Sequence, residues 1–195
     1  MKKIKIVLLA AGSGKRFGGG KLEALVDGKP MYLHALEKIS DQILPDHPVV
    51  VTGNPVIIAA AEEKHINIIQ NLNPELGISR SIHLAVKDFV DKDRDWDAVM
   101  FIVCDQPWLR RETVSSMLRA YEDGILVAKS GNRKGNPVIF SKKYAEELLS
   151  LSGDVGGRQV MERHKEDVRF FEIEDEKELW DIDKKEQLED NRRNV

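Results

Sequence analysis

Short apolar runs that recur between helix-like stretches constrain the fold of this chain most. "IKIVLLAA" (4–11), "VVVTG" (49–53), "INIIQ" (66–70), "DAVMFIVCD" (97–105) and "ILVAK" (125–129) are nearly continuous in apolar residues. That pattern suits strands buried on both faces of a parallel sheet. Between them the spacing turns helical. Tyr32, Leu36 and Ile39 fall at i, i+4, i+7; Ile82, Val86 and Phe89 mark another helix, and Val114, Met117, Leu118 and Tyr121 a further one. Asn54-Pro55 reads as N-cap and first helical residue of "PVIIAAAEEKH". Strand and helix in alternation predict an α/β chain with a mostly parallel sheet. After about residue 130 the pattern changes. "GNPVIFS" (135–141) reads as a short strand led by a Gly-Asn-Pro turn, "SGDVGGR" as a loop and "VRFFEI" (168–173) as a strand. The tail from about Glu174 reads as acidic, then mixed in charge, and as ending in a solvated helix.

At 195 residues the chain predicts one domain with a real core. Its net charge of −3 leaves no basic footprint of the kind nucleic-acid binding requires. Cys104 is the single cysteine, so no intrachain disulfide forms and a reducing compartment suits the chain. The apolar run Ile6–Ala11 is shorter than the roughly 7–15 residues of a signal-peptide core, and no stretch approaches the ~20 of a membrane span. A cytoplasmic protein without membrane attachment is expected.

Ligands of open α/β sheets sit at the carboxyl ends of the strands. Two features lie there: Asp105, ending "VMFIVCD", and the loop from Gly12 to Lys21, with five glycines and three basic residues. A loop that small, bare and positive predicts phosphate. It is neither of two familiar phosphate loops. The dinucleotide fingerprint G-x-G-x-x-G needs glycine at 17 and meets Phe17; the P-loop needs glycine at 15 and a hydroxyl residue after the lysine, and meets Lys15 and Leu22.

"LLAAGSGKRFGGGKLEALVDGKPM" resembles the opening of nucleotidyltransferases that share a GT-A-like fold, with Leu9 to Gly12, Arg16, Phe17, Gly18, Lys21 and Gly28 to Met31 matching. "NPELGISRSIHLAV", "CDQPWL", "GNPVIFS", "SGDVGGRQVM" and "WDIDKKEQLED" are similar, in order, to blocks of the molybdenum cofactor cytidylyltransferase family. The chain departs from that pattern at Asn136 (usually His), Cys104 (usually Gly) and Gly157 (usually Ala). "KKEQL" stands for "TPEDL", and "KLEAL" for "KLL".

The resemblance implies a single-domain, Rossmann-like three-layer α/β/α nucleotidyltransferase fold. Residues 1–130 would mainly bind nucleotide and 131–195 mainly the acceptor. It implies transfer of a nucleoside monophosphate from an NTP to a phosphate-bearing acceptor of the molybdopterin type, serving a molybdenum hydroxylase. An acceptor phosphate is already an anion, so the protein needs alignment and charge neutralisation rather than a general base. Arg16 and Lys21 supply charge, and backbone N–H groups of Gly12, Ser13, Gly14, Lys15 and Arg16 form a nest for the triphosphate. Magnesium takes hard oxygen ligands. Asp105 is the first candidate, with a turn or cap residue as its alternative; the second is Asp183, with Asp181 as fallback. Leu9, Ala10 and Ala11 would read the base through their backbone. Ser79 and Ser81 either approach the nucleotide or cap the following helix. Asn136, Asp154, Gly156 and Arg158 are the acceptor candidates, Asp154 alternatively an N-cap and Arg158 alternatively its ion-pair partner. Guanylyl relatives tend to carry L-A-G-G where this chain has Leu9-Ala10-Ala11-Gly12, which favours CTP. The alternatives are a guanylyl- or sugar-phosphate nucleotidyltransferase and a maturation protein that binds without turnover. The five histidines show no metal-ligand spacing.

Overall fold

The computed structural model describes residues 2–12, 14, 17–40, 48–92 and 95–188. In chain order the strands and α-helices are β1 (Ile4–Leu9), β2 (Leu25–Val26), β3 (Lys29–Pro30), α1 (Met31–Ser40), β4 (Val49–Thr52), α2 (Pro55–Glu63), β5 (Asn67–Gln70), α3 (Ile78–Lys92), β6 (Ala98–Val103), α4 (Arg111–Ala120), β7 (Ile125–Ser130), β8 (Arg133–Ser141), α5 (Ala145–Ser150), α6 (Arg158–Arg163) and β9 (Val168–Glu172). Seven strands form one sheet in the order β5-β4-β1-β6-β8-β7-β9, and β2 and β3 make a separate ribbon. All its strand pairs are parallel except the two made by β8, which runs antiparallel to β6 and to β7.

Burial on both faces explains the continuous apolar runs. Along β1, Ile4, Ile6 and Leu8 join one core and Val7 and Leu9 the other; along β6, Met100 and Ile102 alternate in the same way with Val99 and Phe101. The first core is closed by α1, α2 and α4 through Leu36, Ile57 and Met117, the second by α3, α5 and α6 through Val86, Leu148 and Val160. This is the three-layer α/β/α arrangement. Asn54 caps α2 as its sequence implies, accepting from the Val56 N–H at 2.8 Å, with Pro55 at the first turn.

One expectation needs correction. Gly135-Asn136-Pro137 is not a turn ahead of a strand; it lies within the nine-residue β8. Register with β7 shifts there, from Val127 opposite Val138 to Ala128 opposite Gly135, so Asn136 and Pro137 fall in a bulge where proline's missing N–H costs no ladder bond. The tail is packed down ahead of the helix expected at its end, which the described residues reach only at 186–188. Glu178, Leu179 and Ile182 are buried. Glu178 accepts from the Arg110 N–H at 2.9 Å and the Thr113 hydroxyl at 2.6 Å, so a tail carboxylate satisfies the start of α4. Ile182 packs with Phe17, Val26 and Met31 in a third, smaller core.

Replacing Glu178 with Ala leaves those two donors without their acceptor. The expected cost is about 2–3 kcal/mol, a fall in Tm of about 4–12 °C by scanning calorimetry. Glu176→Ala, at the surface of the same turn, should leave the midpoint in place.

Candidate active site

The first strand delivers the glycine loop to the carboxyl end of the sheet, and local contacts fold the loop back on itself. The Gly14 carbonyl accepts from the Phe17 N–H at 2.9 Å and the Gly19 N–H at 3.3 Å. Gly14 has φ +56, and a Cβ there would stand 3.0 Å from Lys21 Cβ, so only glycine leaves room for the lysine stem. Phe17 anchors the loop by burying its ring beside Ile182. A 3-10 turn, Lys21–Glu23, follows.

Lys21 is the meeting point. Its Nζ donates to Asp105 Oδ2 at 2.7 Å and to Asp183 Oδ1 at 2.9 Å. Burial alone would lower its pKa, but the two carboxylates outweigh burial and raise it above the ordinary lysine value. Lys21 is therefore a fixed positive charge. Asp105 follows β6 directly, and Asp183 comes from the tail. The tail is tied down next to it: the Ile182 N–H donates to the Asp105 carbonyl at 3.0 Å, and Gln187 Oε1 accepts from the Asp183 and Lys184 N–H groups, each at 2.7 Å. From below, Lys38 on α1 donates to the Gln106 carbonyl at 3.2 Å and the Pro107 carbonyl at 2.5 Å. Burial lowers the Lys38 pKa to about 8.

The oxygens of Asp105 and Asp183 converge on one ammonium, so they are spaced to share a cation. Two carboxylates completed by phosphate oxygens and water are a donor set that magnesium takes. Among the described residues no third acidic, His or Cys side chain completes an all-protein cage.

Three cavities adjoin this centre in a row. The middle one, about 470 Å³, holds Lys21, Asp105 and Asp183 and is walled by Gly12, Pro74, Ile78 and Ser81. A second, about 540 Å³, shares Ala11, Gly12, Gly14, Lys21, Leu22 and Pro74 with it and extends to Asn54, Val56 and Leu72. A third, about 750 Å³, meets the middle one at Leu9 and Ile78 and is bounded by Phe140, Met161 and Phe170, with Lys134, Arg158 and Lys165 among its lining. Acids gather in the middle cavity, where Glu75, Asp105, Asp154 and Asp183 stand beside Lys21; the third carries Lys134, Arg158, Glu162 and Lys165, and the second only Lys21 and Glu23.

The expected site residues divide among these cavities. Leu9, Ala11, Gly12, Gly14, Lys21, Ser81, Asp105, Asp154 and Asp183 line the middle one, and Ala10 lines the second. Asn136, Gly156 and Arg158 line the third. Ser13, Lys15 and Arg16 lie outside the described residues. Neither serine caps α3. Ser79 is buried, its hydroxyl donating to the Gly153 carbonyl at 2.6 Å, and it lies off the cavity walls. Ser81 is within α3 and accepts from Asn71 Nδ2 at 3.0 Å. Asp154 is no N-cap, since Gly157 holds that place before α6. Arg158 pairs with Glu162 at 2.9 Å, one helical turn on, rather than with Asp154. Asp181, the fallback ligand, is off the middle cavity. It is exposed as a residue, yet desolvation and then repulsion from Asp105 and Asp183 raise its carboxyl above the ordinary range. Sequence reasoning missed Lys38, Asn54, Asn71 and Leu72; of these only Asn54 carried a local signal, as a helix cap.

The family model of the MobA-like NTP transferase domain matches residues 6–168. A probable molybdenum cofactor guanylyltransferase of Thermococcus sibiricus is 23% identical over 146 residues, 74% of this chain and 70% of that protein. A nucleotidyl transferase from Methanothermobacter superposes with a TM-score of 0.79 at 17% identity, over 98% of this chain and 97% of the other. The Rv0371c protein of Mycobacterium tuberculosis, crystallised with manganese, superposes at 0.70 and 18% identity, over 89% of each chain. Those two likenesses show the fold, and the family model covers the glycine loop, Lys21 and Asp105. The chain belongs to the family of MobA-like NTP transferase domains.

Proposed function

We propose that this nucleotidyltransferase moves CMP from CTP to the phosphate of a molybdopterin-type cofactor, releasing pyrophosphate. The observation that carries the reading is the row of three cavities with Lys21, Asp105 and Asp183 in the middle one. The triphosphate belongs with Lys21 and with the cation that Asp105 and Asp183 would hold. The donor base then occupies the second cavity, and the acceptor the third, where Asn136, Gly156 and Arg158 lie. An oxygen of the acceptor phosphate attacks the α-phosphorus. The bond to the bridging β-oxygen breaks, and pyrophosphate leaves with that electron pair.

Asp105 and Asp183 would hold a magnesium ion, which neutralises charge on the triphosphate when bound. Manganese in the mycobacterial neighbour supports a divalent metal in this fold. Lys21 acts as a compact charge beside the α-phosphate or the departing pyrophosphate. The Gly12 and Gly14 N–H groups, with Ser13, Lys15 and Arg16, cradle the triphosphate. Lys38 holds the backbone after Asp105 so that the carboxylate meets the phosphates in a fixed orientation.

The base is read at Ala11, which lies on the wall shared by the middle and second cavities. Its methyl crowds a purine more than a pyrimidine. A second reading, with GTP as donor, is favoured by the names of the curated relatives, several of which are molybdenum cofactor guanylyltransferases.

Three measurements test the proposal. Asp105→Asn keeps size and removes the anion; pyrophosphate release should fall at least about 100-fold while cooperative unfolding is retained. Near wild-type release would remove Asp105 from the metal site. Lys21→Ala should lower kcat more than it raises KM for the nucleotide, because its charge matters most as negative charge builds; a change confined to KM would make it a ground-state contact. Ala11→Gly should raise GTP use relative to CTP in kcat/KM by roughly 10-fold, the scale of one methyl group. A wild type that already prefers GTP selects the second reading.

A further inference from the structure

The second cavity holds few polar side chains, and most of them are already engaged. Asn71 Oδ1 accepts from the Asn73 N–H at 3.1 Å and its Nδ2 donates to Ser81. Asn54 Oδ1 caps α2, and Lys21 is held by its two acids. The remaining lining is glycine, alanine, proline, Leu22, Val56 and Leu72, apart from Glu23. Glu23 Oε1 accepts from Asn54 Nδ2 at 2.9 Å. The amide that holds it is itself fixed by its cap bond, so the carboxylate is pre-oriented and keeps acceptor capacity.

Backbone defines the rest of this cavity. A Cβ on Gly53 would come within 2.4 Å of the Asn71 carbonyl, so the loops after β4 and β5 touch through main chain and form one wall. The pyrrolidine of Pro74 and the side chains of Val56 and Leu72 add apolar surface. Lys21 and Glu23 belong to the same 3-10 turn. With about three residues per turn, positions two apart point in different directions. The turn therefore serves both cavities, the ammonium in the middle one and the carboxylate in the second.

We propose that Glu23 is a specificity-determining residue that accepts a hydrogen bond from the exocyclic amine of the donor base. An ionised carboxylate only accepts. It complements the 4-amino group of cytosine or the 2-amino group of guanine, and it repels the keto oxygen that uracil presents in place of that amine. The inference rests on the reading that this cleft binds a nucleoside triphosphate. It selects amino-bearing bases, a choice separate from the purine–pyrimidine choice at Ala11.

Calorimetric titration with magnesium present tests it, using two pairs of nucleotides: CTP against UTP, and GTP against inosine triphosphate, which lacks the 2-amino group. For the pair containing the preferred donor, the wild type should bind the amino member at least about 10-fold more tightly. In Glu23→Gln the side-chain oxygen still accepts from Asn54, and its amide can now donate to a keto oxygen. The ratio should collapse toward one, with UTP binding gained. Glu23→Ala should lose the ratio without that gain. Glu23 is exposed, and both variants should unfold at the wild-type temperature. A wild type that binds both members of the pair equally, or a Glu23→Gln variant that keeps the full ratio, would overturn the assignment while leaving the nucleotidyltransferase reading intact. Absence of binding by all four nucleotides would overturn that reading itself.

Discussion

One ammonium joins three distant parts of this chain. Lys21 comes from the loop after the first strand, Asp105 from the end of the central strand β6, and Asp183 from the tail, yet both acids lie within 2.9 Å of its Nζ. Bringing two carboxylates together in a half-buried cleft is unfavourable unless a cation lies between them. The lysine supplies that cation, and the raised Lys21 pKa is the same interaction seen from the other side. In the proposed reaction that cleft would receive a metal ion and a chain of phosphates.

The arrangement depends on how the tail is held. Glu178 satisfies the start of α4, Ile182 packs against Phe17 of the glycine loop, and the Ile182 N–H donates to the Asp105 carbonyl. These contacts fix the backbone on either side of Asp183. The glycine loop, the acid of β6 and the tail therefore form one packed unit, and a change in any of them displaces the charges of the other two. Lys38 extends that unit beneath the sheet by gripping the two carbonyls that follow Asp105.

Much of this was legible in the sequence, for physical reasons that also explain the rest. Strands buried on both faces have no polar positions to spare, so β1, β4 and β6 stand out as apolar runs, and Asn54-Pro55 announces α2 by cap chemistry. The antiparallel course of β8 was hidden because its bulge carries Gly-Asn-Pro, which reads as a turn when no neighbouring strand is known. The packing of Glu178 to Ile182 was hidden for a similar reason. The tail's acids suggest solvent, and only the open N–H groups at the start of α4 show why Glu178 is buried. Lys21, Asp105 and Asp183 carry their charge in their letters. The walls of the second cavity do not: Gly53, Asn71 and Leu72 arrive there through the alignment of β4 and β5, which no local residue pattern encodes. Ser79 shows the converse, a polar side chain that suggested ligand contact and is engaged by the Gly153 carbonyl.

In the proposed function the middle cavity transfers a nucleotidyl group rather than merely binding or hydrolysing a nucleotide. A single-turnover reaction with α-phosphate-labelled CTP, magnesium and a molybdopterin acceptor tests it most directly. The label should appear in the acceptor, in amount equal to the unlabelled pyrophosphate released. Label recovered as free CMP, or left in CTP while the nucleotide is bound, with GTP giving the same result, would contradict the account.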